Sequence, residues 1–509
     1  MGGSGSAVDM VIHRPSGSGE TLVSSGVMLP EGLLAAADLG TVVLTIGGTE
    51  KSIYVEALDI EPWEDGTMRG ILLQFTHSVS AGSDIAAVLT VDGSPQEARD
   101  SRTTPPAQPT ALCVPSDPDY LVTTRMGGIL PVMRTVAEVS AELPAAYAAI
   151  DTKLINYSNN NVGANVSGTW LTDGGGYDVV LPEMQLWMRT GTLAHLIRAV
   201  NLSHASTLGN SDYYNGTGDA FYAAQNGRGV FGLFGVYLCT GSSEARWNAV
   251  DQGRLYLGGV IYSATPMLDG LRDALYGDGT YYYNEGRMIA KPWQGALVNY
   301  ILDGSDFQWL YERPPCTVDG TWEEYVDECI DLNGDHLTLQ GATGTHTTYH
   351  ANDGACYGQK MFMEGIRNVA IMQTKFALPS DHASQSTLTQ WIIDSVDAAW
   401  DAEDYVDEAP IYEADDHCWK YIWVQQGANG EGGEEFNWST EMLNHIWGAA
   451  IAFVYDQTST AKYATRLDEM VAISNSAPQG GAWWTGSQDY YIKGYHQCGE
   501  FWPWIVAYR

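Results

Sequence analysis

Basic residues are scarce in this 509-residue chain: Lys and Arg number 25 against 62 Asp and Glu, for a formal net charge of −37. Such a surface repels a phosphate backbone, so nucleic acid is not an expected partner. Long apolar runs are absent as well. No segment approaches the roughly 20 apolar residues of a membrane span, so membrane insertion is not expected either. The opening stretch MGGSGSAVDMVIHRPSGSGE has no apolar core of the length a Sec signal needs, and a soluble protein without such a signal is expected. Cysteine is sparse and unpatterned, with residues at 113, 239, 316, 329, 356, 418 and 498 and no CxxC pair. Buried free thiols are expected, and Cys316 and Cys329 are near enough in sequence to leave one disulfide open. There is no Gly-x-Ser-x-Gly elbow and no Walker loop.

Aromatic residues, by contrast, are abundant. They make up 11% of the chain, with 17 Trp and 29 Tyr, and flat rings are the usual material of surfaces that stack on sugars. The length points to two or three domains. Over residues 1–95, short apolar runs such as GTVVLTI, SIYVEALDI, RGILLQF and IAAVLTV alternate with Gly- and Asp-bearing turns, the pattern of a small antiparallel barrel or sandwich. Six prolines between residues 94 and 118 mark a linker, assigned to 96–125. Residues 126–509 read as helical.

Three helical segments share one plan: an apolar-periodic helix, a short polar stop and a second amphipathic helix. They are PEMQLWMRTGTLAHLIRAVNLSHA, GLFGVYLCTGSSEARWNAVDQGRLYLGG and EMLNHIWGAAIAFVYDQTSTAKYATRLDEMVAIS, and residues 358–400 fit a fourth. The Thr190-Gly191 and Thr240-Gly241 stops lie 50 residues apart, as a recurring hairpin unit predicts. Long aromatic, Gly-rich connections favour closure into a ring over a solenoid, because connections at one end of a ring converge on a single cleft. The expected fold class is therefore α+β multidomain: an N-terminal antiparallel β barrel or sandwich followed by an all-α (α/α) toroid.

The stretch SSGVMLPEGLL followed by EPWEDGTMRGILLQF resembles the N-terminal barrel domain of the exo-rhamnogalacturonan-lyase-like family. The match rests on Gly26, Pro30 and Gly32, and on the turn residues Trp63, Asp65, Gly66, Thr67 and Arg69. VPSDPDYLVTT at 114–124 resembles that family's junction into an α/α toroid. The resemblance implies polysaccharide-active ancestry, with a polysaccharide or cell-surface glycan as partner. Virus tail proteins use modules of this kind to bind or cleave host glycans, so other virion proteins or further copies of the chain are conceivable partners. The resemblance reaches no catalytic position.

Uronide lyases neutralise the substrate carboxylate, remove the C5 proton and protonate the leaving oxygen, work usually done by His, Tyr, Asn, Arg and Glu. The segment THTTYHAND offers His346, Tyr349 and His350 in a Gly-bounded loop, with Tyr349 and His350 as catalytic candidates. In EEFNWSTEMLNHIWGAA, a cap at Ser439 or Thr440 would put Glu441, Asn444 and His445 on one face of a helix's first turns, with Asn437 just ahead. The stretch TYYYNEGRMIAKPW adds Tyr283, Glu285, Arg287 and Trp293, where Arg287 suits a carboxylate clamp and the rings suit stacking on sugars. Trp483, Trp484, Tyr491 and His496 make either the floor of a sugar cleft or the seal of the ring. Each group also has a plain reading as capping, packing or surface hydrogen bonding. A hydrolase would instead use paired carboxylates, for which Glu285, Glu435 and Glu441 are available. No cofactor is implied, although DLNGD at 331–335 has the alternating oxygens of a calcium loop without its terminal Glu. Residues 394–416 hold ten Asp or Glu and no Lys or Arg, which reads as a solvated acidic face.

Overall fold

A computed structural model describes residues 7–106, 108–162, 178, 180–214, 230–260, 286–303, 324, 326–331, 348–350, 356–359, 361–403, 410, 412–414, 417–419, 423–426, 444–476 and 488–509. Its first part is antiparallel. Strands β1 (Ala7–His13), β3 (Val43–Ile46), β4 (Thr49–Lys51), β7 (Asp84–Thr90) and β8 (Leu112–Pro115) form one sheet in the order β4-β3-β7-β1-β8. Strands β2 (Ser18–Met28), β5 (Tyr54–Ala57) and β6 (Gly70–Ser80) form a second, in the order β2-β6-β5. Alternate residues of both sheets fill a shared core, including Val8, Met10 and Ile12 from β1, Val23 and Val27 from β2, and Ile71, Leu73 and Phe75 from β6. Strand β8 comes from the proline-bearing stretch read as a linker, and it pairs with β1 from Met10↔Pro115 to His13↔Leu112.

Where the end of β2 pairs with the start of β6, the second sheet is buried on both faces. Leu72 of β6 and Met28 of β2 belong to the core of the helical part rather than to the sandwich. Gly26, paired with Leu72, makes this contact possible: a Cβ there would stand 2.2 Å from the Leu238 carbonyl oxygen. The other resemblance residues lock one corner. Asp65 accepts from the Thr67 backbone at 2.9 Å, and the Thr67 hydroxyl accepts from the Gly32 N–H at 2.9 Å. The Trp63 indole donates to the Leu29 carbonyl at 3.1 Å. Arg69 lies 4.4 Å from the Trp63 ring centre and donates to the Pro62 and Gly127 carbonyls, so this turn is fastened to the first helical residues.

The helical part contains α1 (Pro118–Thr123), α2 (Val136–Glu142), α3 (Ala145–Tyr157), α4 (Leu181–Thr190), α5 (Leu193–Tyr214), α6 (Val230–Thr240), α7 (Ser243–Val260), α8 (Gly286–Asp303), α9 (Met361–Ala377), α10 (Gln385–Trp400), α11 (Asn444–Thr458), α12 (Ala461–Ser476) and α13 (Gln488–Tyr508). The four expected hairpins are present as α4–α5, α6–α7, α9–α10 and α11–α12. At the two Thr-Gly stops, Gly191 and Gly241 take left-handed φ of 67° and 62° and return their N–H groups to Trp187 and Tyr237, each at 2.8 Å. The stretch from Gly286 onward, read as part of a connection, is instead helix α8.

Packing follows a cyclic order: α4 lies against α6, α6 against α8, α8 against α9, α9 against α11, α11 against α13, and α13 against α4. Several of these pairs run parallel, as close approaches show. Gly232 meets Leu181 while Gly235 meets Met184, and His445 meets Trp502 while Gly448 meets Ile505. These helices are buried on nearly every side; all residues of α4 from Leu181 to Arg189 are buried. The thiols of Cys113, Cys239, Cys329 and Cys498 are buried and unbridged, which removes the Cys316–Cys329 disulfide. No described helix is long and apolar enough to cross a membrane.

Gly26→Ala is expected to cost about 3 kcal/mol, because the new methyl group meets backbone rather than a side chain that can turn away. Urea unfolding checks this; an unchanged midpoint would show that β2 and α6 can separate freely.

Candidate functional site

A helix buried on all sides keeps its polar residues only if other elements supply partners. Two of the three buried polar residues of helix α4 have such partners, whereas the Gln185 amide has none among the described residues. Arg189 makes a two-pronged bond to Asp151 of α3, at 2.6 Å on each arm. Glu183, in the first turn, gathers a larger group. Its Oε1 accepts from Ser158 at 2.6 Å and from the Tyr495 hydroxyl at 2.7 Å, and its Oε2 lies 2.9 Å from His195 Nδ1 and 3.1 Å from Arg198 Nε. Ser158 opens a π-helical turn, Ser158–Val162, at the end of α3. The group opens outward through Arg198, which donates to the exposed Asn159 side chain at 3.0 Å.

The electrostatics of this group follow from its partners. Burial pushes the Glu183 carboxyl up, but the hydrogen bonds of His195 and Ser158 and the charges of His195 and Arg198 outweigh that and hold it below the ordinary value. Burial and the Glu183 charge raise Tyr495 far above the usual phenol range, so it stays protonated. Ser158, His195 and Glu183 do not form a nucleophilic triad: both neighbours approach the same ring nitrogen, Nδ1, whereas a relay uses opposite nitrogens. What the group offers is an ionised carboxylate that orients a phenol, an imidazole and a guanidinium.

Other buried polar residues lie in the opening turns of the parallel helices. Asp178 accepts from the N–H groups of Val180, Leu181 and Gly232, bridging the starts of α4 and α6. In α9, Glu364 and Arg367 pair at 2.9 Å. His445 follows Asn444, the first residue of α11, and its ring stands edge-on to Trp502 at 5.9 Å.

Some sequence-derived candidates take interior positions. Trp293, expected to stack on sugar from a loop, is fully buried in α8. His445 is 3% exposed, and burial together with Lys153 lowers its pKa to about 4, so it is a neutral interior ring rather than part of an open polar trio. Arg287 lies in the first turn of α8, and Tyr491 and His496 lie on α13. Tyr349 and His350 belong to strand β9 (Thr348–His350), which pairs with β10 (Cys356–Gln359), Tyr349 opposite Tyr357 and His350 opposite Cys356. Since β10 ends two residues before α9, and Gly365 of α9 touches Ile446 of α11, the backbone brings His350 and Asn444–His445 to the same end of the helix set. Tyr283, Glu285, His346, Asn437, Glu441, Trp483 and Trp484 lie outside the described residues, as do Cys316, Glu435, Asn333 and Asp335. Among the described residues, no group of three His, Cys, Asp or Glu could hold a metal ion.

Sequence alone singled out none of Glu183, His195 and Arg198, whereas Tyr495 belongs to the same aromatic stretch as Trp483, Trp484, Tyr491 and His496. A signal was present: a carboxylate inside the apolar run LPEMQLWM, followed after the Gly stop by His and Arg three residues apart. Compared with known proteins, the chain matches no family model and no curated sequence.

Two buried groups make opposite predictions for pH. His445 stays neutral in the folded chain while the unfolded chain protonates it below its ordinary 6.5, so its contribution is complete above that pH and is lost as pH falls toward 4. The loss is on the order of 3 kcal/mol. Asp178, raised to about 6 by burial, contributes fully below its ordinary 3.8 and loses that contribution as pH rises through 6. Urea midpoints of wild type and His445→Phe between about pH 7 and pH 4 should converge on acidification, the variant falling less. Parallel curves would show that His445 is not held neutral.

Proposed function

We propose that this protein binds and cleaves polysaccharide by β-elimination, at the end of an (α/α) toroid where the parallel inner helices begin. The toroid reading is supported by the cyclic packing order α4-α6-α8-α9-α11-α13-α4. The observation that carries the functional reading is the Glu183 group, with its carboxylate held ionised against His195, Arg198 and Tyr495 in the first turn of α4. These are the side-chain types that elimination from a uronide uses. Parallel helices that begin at one end also direct positive dipole ends there, which favours an anionic sugar despite the net charge of −37.

In this reading Arg198, reaching solvent beside Asn159, neutralises the substrate carboxylate. His350, whose strand leads into α9 at the same end, takes the C5 proton. The C4–O bond then breaks, its electrons leave with the oxygen, and the phenol of Tyr349, next to His350 in the same strand, supplies the leaving group's proton. Tyr283, Trp483 and Trp484 would serve as stacking rings.

A second reading is a glycan adhesin, such as a virion surface component that retains the fold without turnover. The burial and neutrality of His445 favour it, since that ring is withdrawn from a solvent-facing role.

The test is incubation of the purified protein with a panel of polysaccharides, following the absorbance of the unsaturated product and reducing ends in parallel. The expected result is a rise in both, reduced at least about 100-fold by His350→Ala, in line with the loss of a general base, and by Arg198→Gln. Reducing ends without unsaturation would replace elimination by hydrolysis. Silence in both with retained glycan binding would establish the adhesin.

A further inference from the structure

A second cavity lies away from the Glu183 group, where the β unit meets the C-terminal ends of α8 and α9. It is a cleft of about 560 Å³, a size that accommodates a small ligand. Lys375 and Glu364 are eleven residues apart on α9, so the cleft is about 16 Å along the helix axis from the opening turns described above.

One wall is under backbone strain. Arg125, Met126, Gly127 and Gly128 have consecutive positive φ values of 50°, 45°, 66° and 99°. The left-handed region suits glycine but disfavours Arg and Met, and such outliers persist only where the surroundings impose them. Met126 is fully buried against α6, and Gly127 presents its carbonyl to Arg69. The turn thereby projects Arg125 into the cleft, its guanidinium 5.4 Å from the Trp63 ring centre and 5.2 Å from that of Phe376. Among the described residues its hydrogen bonding amounts to one long contact, 3.5 Å to Glu31.

The rest of the lining complements this cation. Lys375 also lines the cleft, donating to Gln385 at 3.1 Å. Tyr300 and Phe376 are half-buried and offer ring surface. Exposed carboxylates of Glu31, Glu61 and Glu64 line the same space; the Glu64 carboxylate is held by the Ser380 N–H and hydroxyl at 3.0 and 2.8 Å. Three cations line the cleft, of which Arg69 is taken up by the Pro62 and Gly127 carbonyls; rings, hydroxyl acceptors and the remaining pair, Arg125 and Lys375, match a sugar that carries a single carboxylate, while the three glutamates disfavour a polyanion. Burial lowers the pKa of both Arg125 and Lys375, as expected of cations that gain from an anionic partner.

We propose that this cleft is a binding site for a carboxylate-bearing sugar, with Arg125 and Lys375 clamping the carboxylate and Tyr300 and Phe376 meeting the ring. The site is separate from the proposed elimination centre and rests on the polysaccharide reading only for the class of ligand. It would hold a charged residue of the glycan at the β unit while the chain is worked on at the far end of the helices.

Isothermal titration of the full chain with glucuronic acid, its methyl ester and glucose tests this with probes that contain no glycosidic bond to cleave. The expected result is binding of the acid at least tenfold tighter than of the ester or glucose. Arg125→Asn, which tolerates left-handed backbone, should weaken the acid at least tenfold while leaving Tm unchanged or higher, and Lys375→Gln should weaken it as well. Equal binding of acid and ester, absence of binding, or full affinity in both variants would overturn the proposal. Polysaccharide turnover with unaltered glucuronate binding in Arg125→Asn would reject this site and keep the proposed function. Binding lost in the variant, with no turnover of any polysaccharide, would keep this site and reject elimination.

Discussion

The ion pair between Asp151 and Arg189 joins parts of the chain that sequence places far apart. Both side chains are almost wholly excluded from solvent, at 1% and 0% exposure, so neither charge is tolerable without the other. Asp151 also accepts from the Trp502 indole at 2.7 Å, and Arg189 donates to the Arg134 carbonyl at 2.9 Å. Arg134 in turn donates to the carbonyls of Val506 and Ala507 near the end of the chain. One buried pair therefore ties α3, α4 and α13 together and brings the last helix against the first of the cyclic set. Removing either charge alone would leave the other buried and unpaired, a change that costs about 3–5 kcal/mol in comparable sites.

The small β unit has a physical role within this arrangement. Helices that pack in parallel leave their C-terminal carbonyls and apolar ends uncovered on one side. The second sheet covers that side, putting Leu72, Met28 and Leu58 into the helical core and bringing Gly26 against the end of α6. Arg246 of α7 continues the seam, donating to the Leu302 carbonyl at 2.8 Å. The turn residues that carry the family resemblance are thus structural residues of a domain seam: Trp63, Asp65, Thr67 and Arg69 hold one another and the Gly127 carbonyl. The same seam leaves the Arg125 cleft open beside it.

Much of the fold was legible because its signals are local. Apolar spacing marked the paired helices, and Thr-Gly marked their stops, since a left-handed residue is needed wherever a helix turns back at once. The sites were less legible. Trp293 looked like a loop ring because it follows an aromatic, Gly-rich run, yet helix α8 starts at Gly286 and carries it inside. His445 looked like one of a polar trio, but its surroundings include Trp502 from a helix 57 residues later. Glu183 drew no notice because a lone carboxylate in an apolar run has no local meaning. Its partners come from three other segments, one of them 312 residues away at Tyr495.

The sequence by itself determined the division into a β unit and a helical part and the positions of the hairpins, because each depends on residues within a few turns of one another. Tertiary structure alone decided which polar residues share a site, which rings are interior and where a strained arginine faces a cleft. Those outcomes depend on partners from distant segments and on burial, which periodicity and spacing do not encode.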